Sequence, residues 1–176
     1  MDNFIYGCIE GSYAQGMQTK NSDLDIVEVY SAAIHMEKEL KKVNDIKLNW
    51  SNASRQIFSS QSFIYNLFYE PSCEYYRWLF PYKYLSDNEL TTYIKKYNED
   101  IIKENLPYLY QRLMQAHDTY MILGYQNNNY KYYYKSLDKY ALLIEYKKFK
   151  SYQESLFCKD YKQLLLDIKL GKYTQK

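Results

Sequence analysis

The sequence predicts an α+β chain, with a small β-sheet and flanking helices in residues 1–85 and a helical region packed on it over residues 86–176. Three observations carry this expectation. Two strand-like apolar runs, Phe4–Ile9 and Ile26–Tyr30, bracket a segment rich in Gly, Ser and Ala. Past residue 86, apolar positions recur at helical spacing between cap and turn signals. Hydrophobic residues make up 47% of the 176, enough for a real core.

The bracketed segment, Glu10–Ile26, reads EGSYAQGMQTKNSDLDI. Gly11 lets backbone approach a ligand closely, and Ser12 adds a hydroxyl donor. Side chains alternate along a strand, so Asp23 and Asp25 belong to one face. Two adjacent carboxylates repel unless a cation lies between them. Hard oxygen donors of this kind suit Mg²⁺, which is usually held by one or two carboxylates and shares substrate phosphates. Ser22 is placed to orient Asp23 or to touch a phosphate.

The string Gly11-Ser12, Ala14, Gly16, Thr19, Ser22-Asp23, Asp25 resembles the nucleotidyltransferase signature of the DNA polymerase beta superfamily. Within it, the chain looks most like stand-alone bacterial and phage nucleotidyltransferases. The resemblance is specific in residues 4–30 and a loose pattern of helices after that. It implies the nucleotidyltransferase fold, a small mixed β-sheet with flanking helices and a C-terminal helical part. It also implies that Gly11 and Ser12 hold nucleotide phosphates, that Asp23 and Asp25 hold Mg²⁺, and that Lys135 contacts substrate. A third carboxylate on a neighbouring strand is implied as well, and Asp45 is the nearest acid for it. The sequence departs from the pattern at Gln15, where relatives often carry an aromatic residue. It departs again at Asp138 and Lys139, near the positions of a helical His and Arg.

One more strand and the helices complete the reading in order. Asp45–Trp50 alternates polar and apolar and predicts a third strand. Ser51 is a cap for a helix running through Arg55, Phe58, Phe63 and Phe68, ended by Pro71. In the following turn Glu74 and Arg77 are spaced to pair, and Arg77 is a candidate phosphate contact. Ser86 and Glu89 form a capping-box pattern that opens a helix to about Glu104. Pro107 then suits the first turn of another helix, and Gln126–Asn129 reads as a loop. A helix over residues 130–150 and a last one, residues 160–170, closed by Gly171, finish the chain. His35 reads as a surface residue and His117 as an interhelix one.

Net charge is +2 and unevenly spread. Residues 1–30 hold five acids and one base, which leaves 22 of the 23 bases and 16 of the 21 acids for the rest. An acidic metal-binding end beside a basic remainder suits a phosphate-bearing substrate. A composition biased to Lys, Tyr and Asn accounts for the same numbers. Tyrosine is the odd feature, with 24 residues spread along the chain. Most fall at helical spacing and read as half-buried helix faces, although aromatic faces also stack on bases. Cys8, Cys73 and Cys158 form no C-x-x-C pair and read as reduced thiols. Neither a signal-peptide pattern nor a membrane-length apolar run is present, so the expectation is a cytoplasmic protein.

Together these expectations describe a Mg²⁺-dependent nucleotidyltransferase that moves a nucleoside monophosphate from a nucleoside triphosphate to a hydroxyl acceptor, RNA or protein. The alternatives are a catalytically degenerate nucleotide- or RNA-binding protein and an antitoxin-like module that binds a protein partner.

Overall fold

The structure is a computed structural model that describes residues 4–31, 53–69 and 75–172. It is α+β, with a mixed four-stranded sheet and a long helical second half. Strand β1 (Phe4–Glu10) runs into the four-residue helix α1 (Gly11–Ala14). Strand β2 (Leu24–Tyr30) returns antiparallel to β1, with Glu10 opposite Asp25 and Gly7 opposite Glu28. Strand β3 (Ala53–Ser59) lies parallel to β2, and the short β4 (Lys83–Tyr84) is antiparallel to β1. The sheet order is β3-β2-β1-β4.

Strand alternation divides the sheet's apolar side chains between its two faces. Tyr6 and Cys8 of β1 and Val27 and Val29 of β2 join the main core. Ile9, Leu24 and Ile26 form a small second cluster under Tyr13. Asp25 has the parity of Val27 and Val29, which sets it on the main-core face, at the end where β2 begins.

Helix α2 (Ser60–Phe68) buries Phe63 and Leu67 on that face. Its cap is Ser59, whose hydroxyl accepts from the Ser62 amide at 3.1 Å. The sequence predicts a helix already begun at Ser51, whereas residues 53–59 are strand. Ile57 and Phe58 fit either periodicity, and pairing along the whole of β2 decides for strand. The strand expected at Asp45–Trp50 lies outside the described residues. Helix α3 (Tyr75–Leu79) buries Tyr75, Tyr76, Trp78 and Leu79. The Tyr6 hydroxyl donates to the Trp78 carbonyl at 2.6 Å, tying α3 to β1.

The expected break at Pro107 is absent, because α4 (Glu89–Asn127) is one helix of 39 residues with the proline inside it. Pro107 is exposed, so the carbonyl that loses its partner faces water rather than the core. The cap is Asn88, not Ser86. Asn88 Oδ1 accepts from the Thr91 amide at 3.0 Å, and its Nδ2 donates to the Ile5 carbonyl at 2.6 Å. Ser86 instead accepts from the Gly7 amide at 3.1 Å.

Asn128 takes the left-handed conformation that ends α4, and Asn129 caps α5 (Tyr130–Lys148). The predicted loop is thus a tight link in a helical hairpin. Gly124 lets the Tyr133 ring pack against the α4 backbone, since a Cβ there would stand 2.9 Å from that ring. Helices α6 (Tyr152–Leu156) and α7 (Lys159–Lys169) fold back over α5. Among the described residues, no helix is long and apolar enough to cross a membrane. Cys8 and Cys158 are free thiols.

Candidate functional site

A cleft of about 460 Å³ opens where the β1–α1 turn and the start of β2 face α3, α5 and α7. That volume lies in the range of small-molecule sites. Gly11, Ser12, Ser22, Asp23, Asp25 and Lys135, all singled out in the sequence, line it together. Arg77 lines it too. Asp45, His35 and Glu74 lie outside the described residues.

The turn has a steric reason for its glycine. Gly11 has φ +67°, and a Cβ on it would land on the Asp25 carboxylate. The acid therefore packs directly against the bare backbone of the turn. Behind it, the Met17 amide donates to the Ser12 carbonyl at 2.8 Å and closes the segment. The approach to Asp23 is fixed by a second turn. Ser22 Oγ accepts from the Thr19 amide at 2.9 Å, and the Ser22 amide donates to the Thr19 carbonyl at 3.0 Å. The Ser22 hydroxyl thus holds the loop that delivers Asp23.

The opposite wall is basic. Arg77 comes from α3, Lys131 and Lys135 from α5, and Lys169 from the last turn of α7. Lys169 Nζ donates to the Met17 carbonyl at 3.2 Å, so α7 is tied to the segment that follows the Gly11–Ser12 turn. Burial pulls the Lys169 ammonium below the usual lysine range, and the carboxylates of Asp23, Asp138 and Asp25 push the other way. Lys169 was not legible in the sequence, which offers only a lysine near a helix end, 144 positions after Asp25.

The two departures noted in the sequence meet at the cleft floor. Gln15 Nε2 donates to Asp138 Oδ1 at 3.2 Å, and both residues are buried. Asp138 also accepts from the Tyr161 hydroxyl at 3.0 Å, from Arg77 Nη2 at 3.3 Å and from Lys139 Nζ at 3.1 Å. Arg77 pairs with this acid, and its expected partner Glu74 lies outside the described residues. Four donors thus converge on Asp138, two of them the charged groups of Arg77 and Lys139. This cluster locks α1, α3, α5 and α7 together.

His117 lies outside the cleft, its ring 5.4 Å from Tyr140 across the α4–α5 contact, as expected for an interhelix residue. Among the described residues, no group of three His, Cys, Asp or Glu side chains is arranged to hold a metal ion. Asp23 and Asp25 still fit Mg²⁺, which needs only one or two carboxylates when substrate phosphates supply further oxygens. The facing lysines and arginine suit those phosphates.

No protein family, curated protein or solved structure matches the chain.

Proposed function

We propose that the chain is a Mg²⁺-dependent nucleotidyltransferase. The observation that carries this reading is the packing of the Gly11–Ser12 turn against Asp25, with Asp23 in the same cleft and four basic side chains opposite. A structural turn between two strands has no need of this division of charge.

In the proposed reaction an acceptor hydroxyl oxygen forms a bond to the α-phosphorus of a nucleoside triphosphate. The bond from that phosphorus to the β-phosphate oxygen breaks, pyrophosphate leaves with the electron pair, and the hydroxyl proton passes to solvent. Asp23 and Asp25 would hold Mg²⁺, which supplies charge neutralisation and a lowered hydroxyl pKa when bound. Gly11 lets the triphosphate approach the backbone, and the Ser12 hydroxyl donates to it. Lys135, Lys131 and Lys169 neutralise phosphate charge from the helical wall. Arg77 and Lys139, fixed by Asp138, add a positive potential from below. Ser22 and Gln15 position the acids and the turn.

Label transfer tests the reading. The protein is incubated with each α-labelled triphosphate, Mg²⁺ and cell extract as the source of acceptors. Incorporation by the wild type that is lost in Asp25→Asn supports it. Equal labelling by both proteins overturns it.

A second reading is a nucleotide-binding protein that has lost catalysis. It is favoured by Asp138, which lines the cleft but is taken up by four donors and so is not free to act as a third carboxylate. Under it, triphosphate binds and no label is transferred.

A further inference from the structure

The tyrosines are the sequence feature that the proposed reaction leaves unused. They are not evenly placed around the cleft. Between Thr119 and Leu137, across the α4–α5 hairpin tip, stand six tyrosines and two lysines and no acid. Tyr130 lines the cleft, yet 82% of its surface is exposed. Its ring meets Tyr133 edge-on at 6.5 Å. Tyr120 and Tyr132 stack at 6.3 Å with rings 21° from parallel. Lys135, itself a cleft residue, holds its ammonium 5.3 Å above the Tyr120 ring and so joins the tip to the cleft. The hairpin tip itself, Gln126–Asn129, is all amide side chains.

From this strip we infer the class of acceptor: a single-stranded nucleic acid that lies on the hairpin tip with one end in the cleft. The inference rests on the nucleotidyltransferase reading for what happens at that end, but not for the binding itself. Open rings at Tyr125 and Tyr130, 83% and 82% exposed, with half-buried tyrosines and two lysines beside them, describe a platform for bases and phosphates. A duplex keeps its bases stacked inside and has no use for exposed rings. The positive strip complements a polyanion. It also continues the basic wall that Arg77, Lys131, Lys135 and Lys169 give the cleft.

Fluorescence anisotropy of short labelled oligonucleotides tests this, without nucleotide or Mg²⁺. Four probes are used: a single-stranded RNA, the same sequence as DNA, and a duplex of each. The single strands are expected to bind and the duplexes to bind at least about tenfold more weakly. Tyr130→Ala should weaken single-strand binding about fivefold or more, the loss expected for one stacked base, and Tyr130→Phe should restore it. Lys131→Ala should weaken binding and flatten its salt dependence by ~0.7 in the log–log slope. Preference for RNA over DNA would show that the sugar 2′-hydroxyl is read, and equal binding that only bases and phosphates are. No single-strand binding, duplex binding of equal strength, or affinity unmoved by both Tyr130→Ala and Lys131→Ala overturns the inference and leaves the strip to a protein partner. Triphosphate titration of the same samples after Mg²⁺ is added keeps the two claims apart. Oligonucleotide binding without triphosphate binding sinks the enzyme reading alone, and the reverse sinks the strip alone.

Discussion

Replacing Gly11 with alanine tests the site at its tightest point. The backbone there has φ +67°, which an L side chain adopts at a cost of about 1–2 kcal/mol. A Cβ would also fall on the Asp25 carboxylate, which must then leave its place against the turn. Gly171 provides the matched control. It has φ +70° but no atom within 4 Å of a Cβ, so Gly171→Ala carries backbone strain alone. For a chain of this size about 1 kcal/mol moves Tm by roughly 2–4 °C, so strain alone lowers it by about 2–8 °C. Gly11→Ala should fall by at least as much. It should also bind Mg²⁺–triphosphate about 10–100-fold more weakly, the loss usual when a metal ligand is mis-oriented. Gly171→Ala should bind as the wild type does. Differential scanning calorimetry and isothermal titration give both numbers. Wild-type affinity in Gly11→Ala would refute the claim that the turn positions Asp25 for the ligand.

Three further outcomes follow from the packing. Asp138→Ala removes the carboxylate shared by Gln15, Tyr161, Arg77 and Lys139 from a buried cluster that includes a charged pair, so urea denaturation should show a loss of about 3–5 kcal/mol. Pro107→Ala restores a helical amide on an exposed turn of α4 and should raise stability by roughly 1–3 kcal/mol by the same method. Glu28 is buried beside Arg55 at 3.4 Å, and burial raises its carboxyl above the ordinary 4.5 despite that partner. The folded state therefore holds this proton to a higher pH than the unfolded chain does. Stability from this group is full below 4.5 and is lost as pH rises through the raised folded value. Glu28→Gln should flatten that limb of the stability–pH curve.

The parts of the fold that were legible in the sequence are those settled within a few residues. The β1 and β2 runs and the Gly11–Ser12 turn depend on local alternation and on one glycine, although β2 starts at Leu24, so Asp23 precedes the strand that carries Asp25. The Asn-rich link and the stop at Gly171 are equally local. The errors fall where distant partners decide. Residues 53–59 become strand because β2 offers a full parallel edge, which no feature of their own sequence announces. Pro107 reads as a helix start because its exposure, which makes it tolerable inside α4, is a tertiary property. The cleft divides the same way. Its acidic wall comes from one short segment and was readable there. Its basic wall gathers Arg77, Lys131 and Lys169 from three helices. Gln15 and Asp138 each looked like a departure from a family pattern, and only the fold shows that they are partners. The tyrosines of residues 120–134 are close in sequence, but Tyr120 meets Tyr132 only once the hairpin forms.

The central claim is that Asp23 and Asp25 bind a metal–triphosphate complex in this cleft. Calorimetric titration of each of the four non-hydrolysable nucleoside triphosphates, with and without Mg²⁺, tests it most directly. It is run on the wild type and on the double variant Asp23→Ala/Asp25→Ala. The account predicts binding of at least one triphosphate that requires Mg²⁺ and is abolished in the double variant. Binding that ignores both the metal and the two acids, or no binding of any triphosphate, would contradict it.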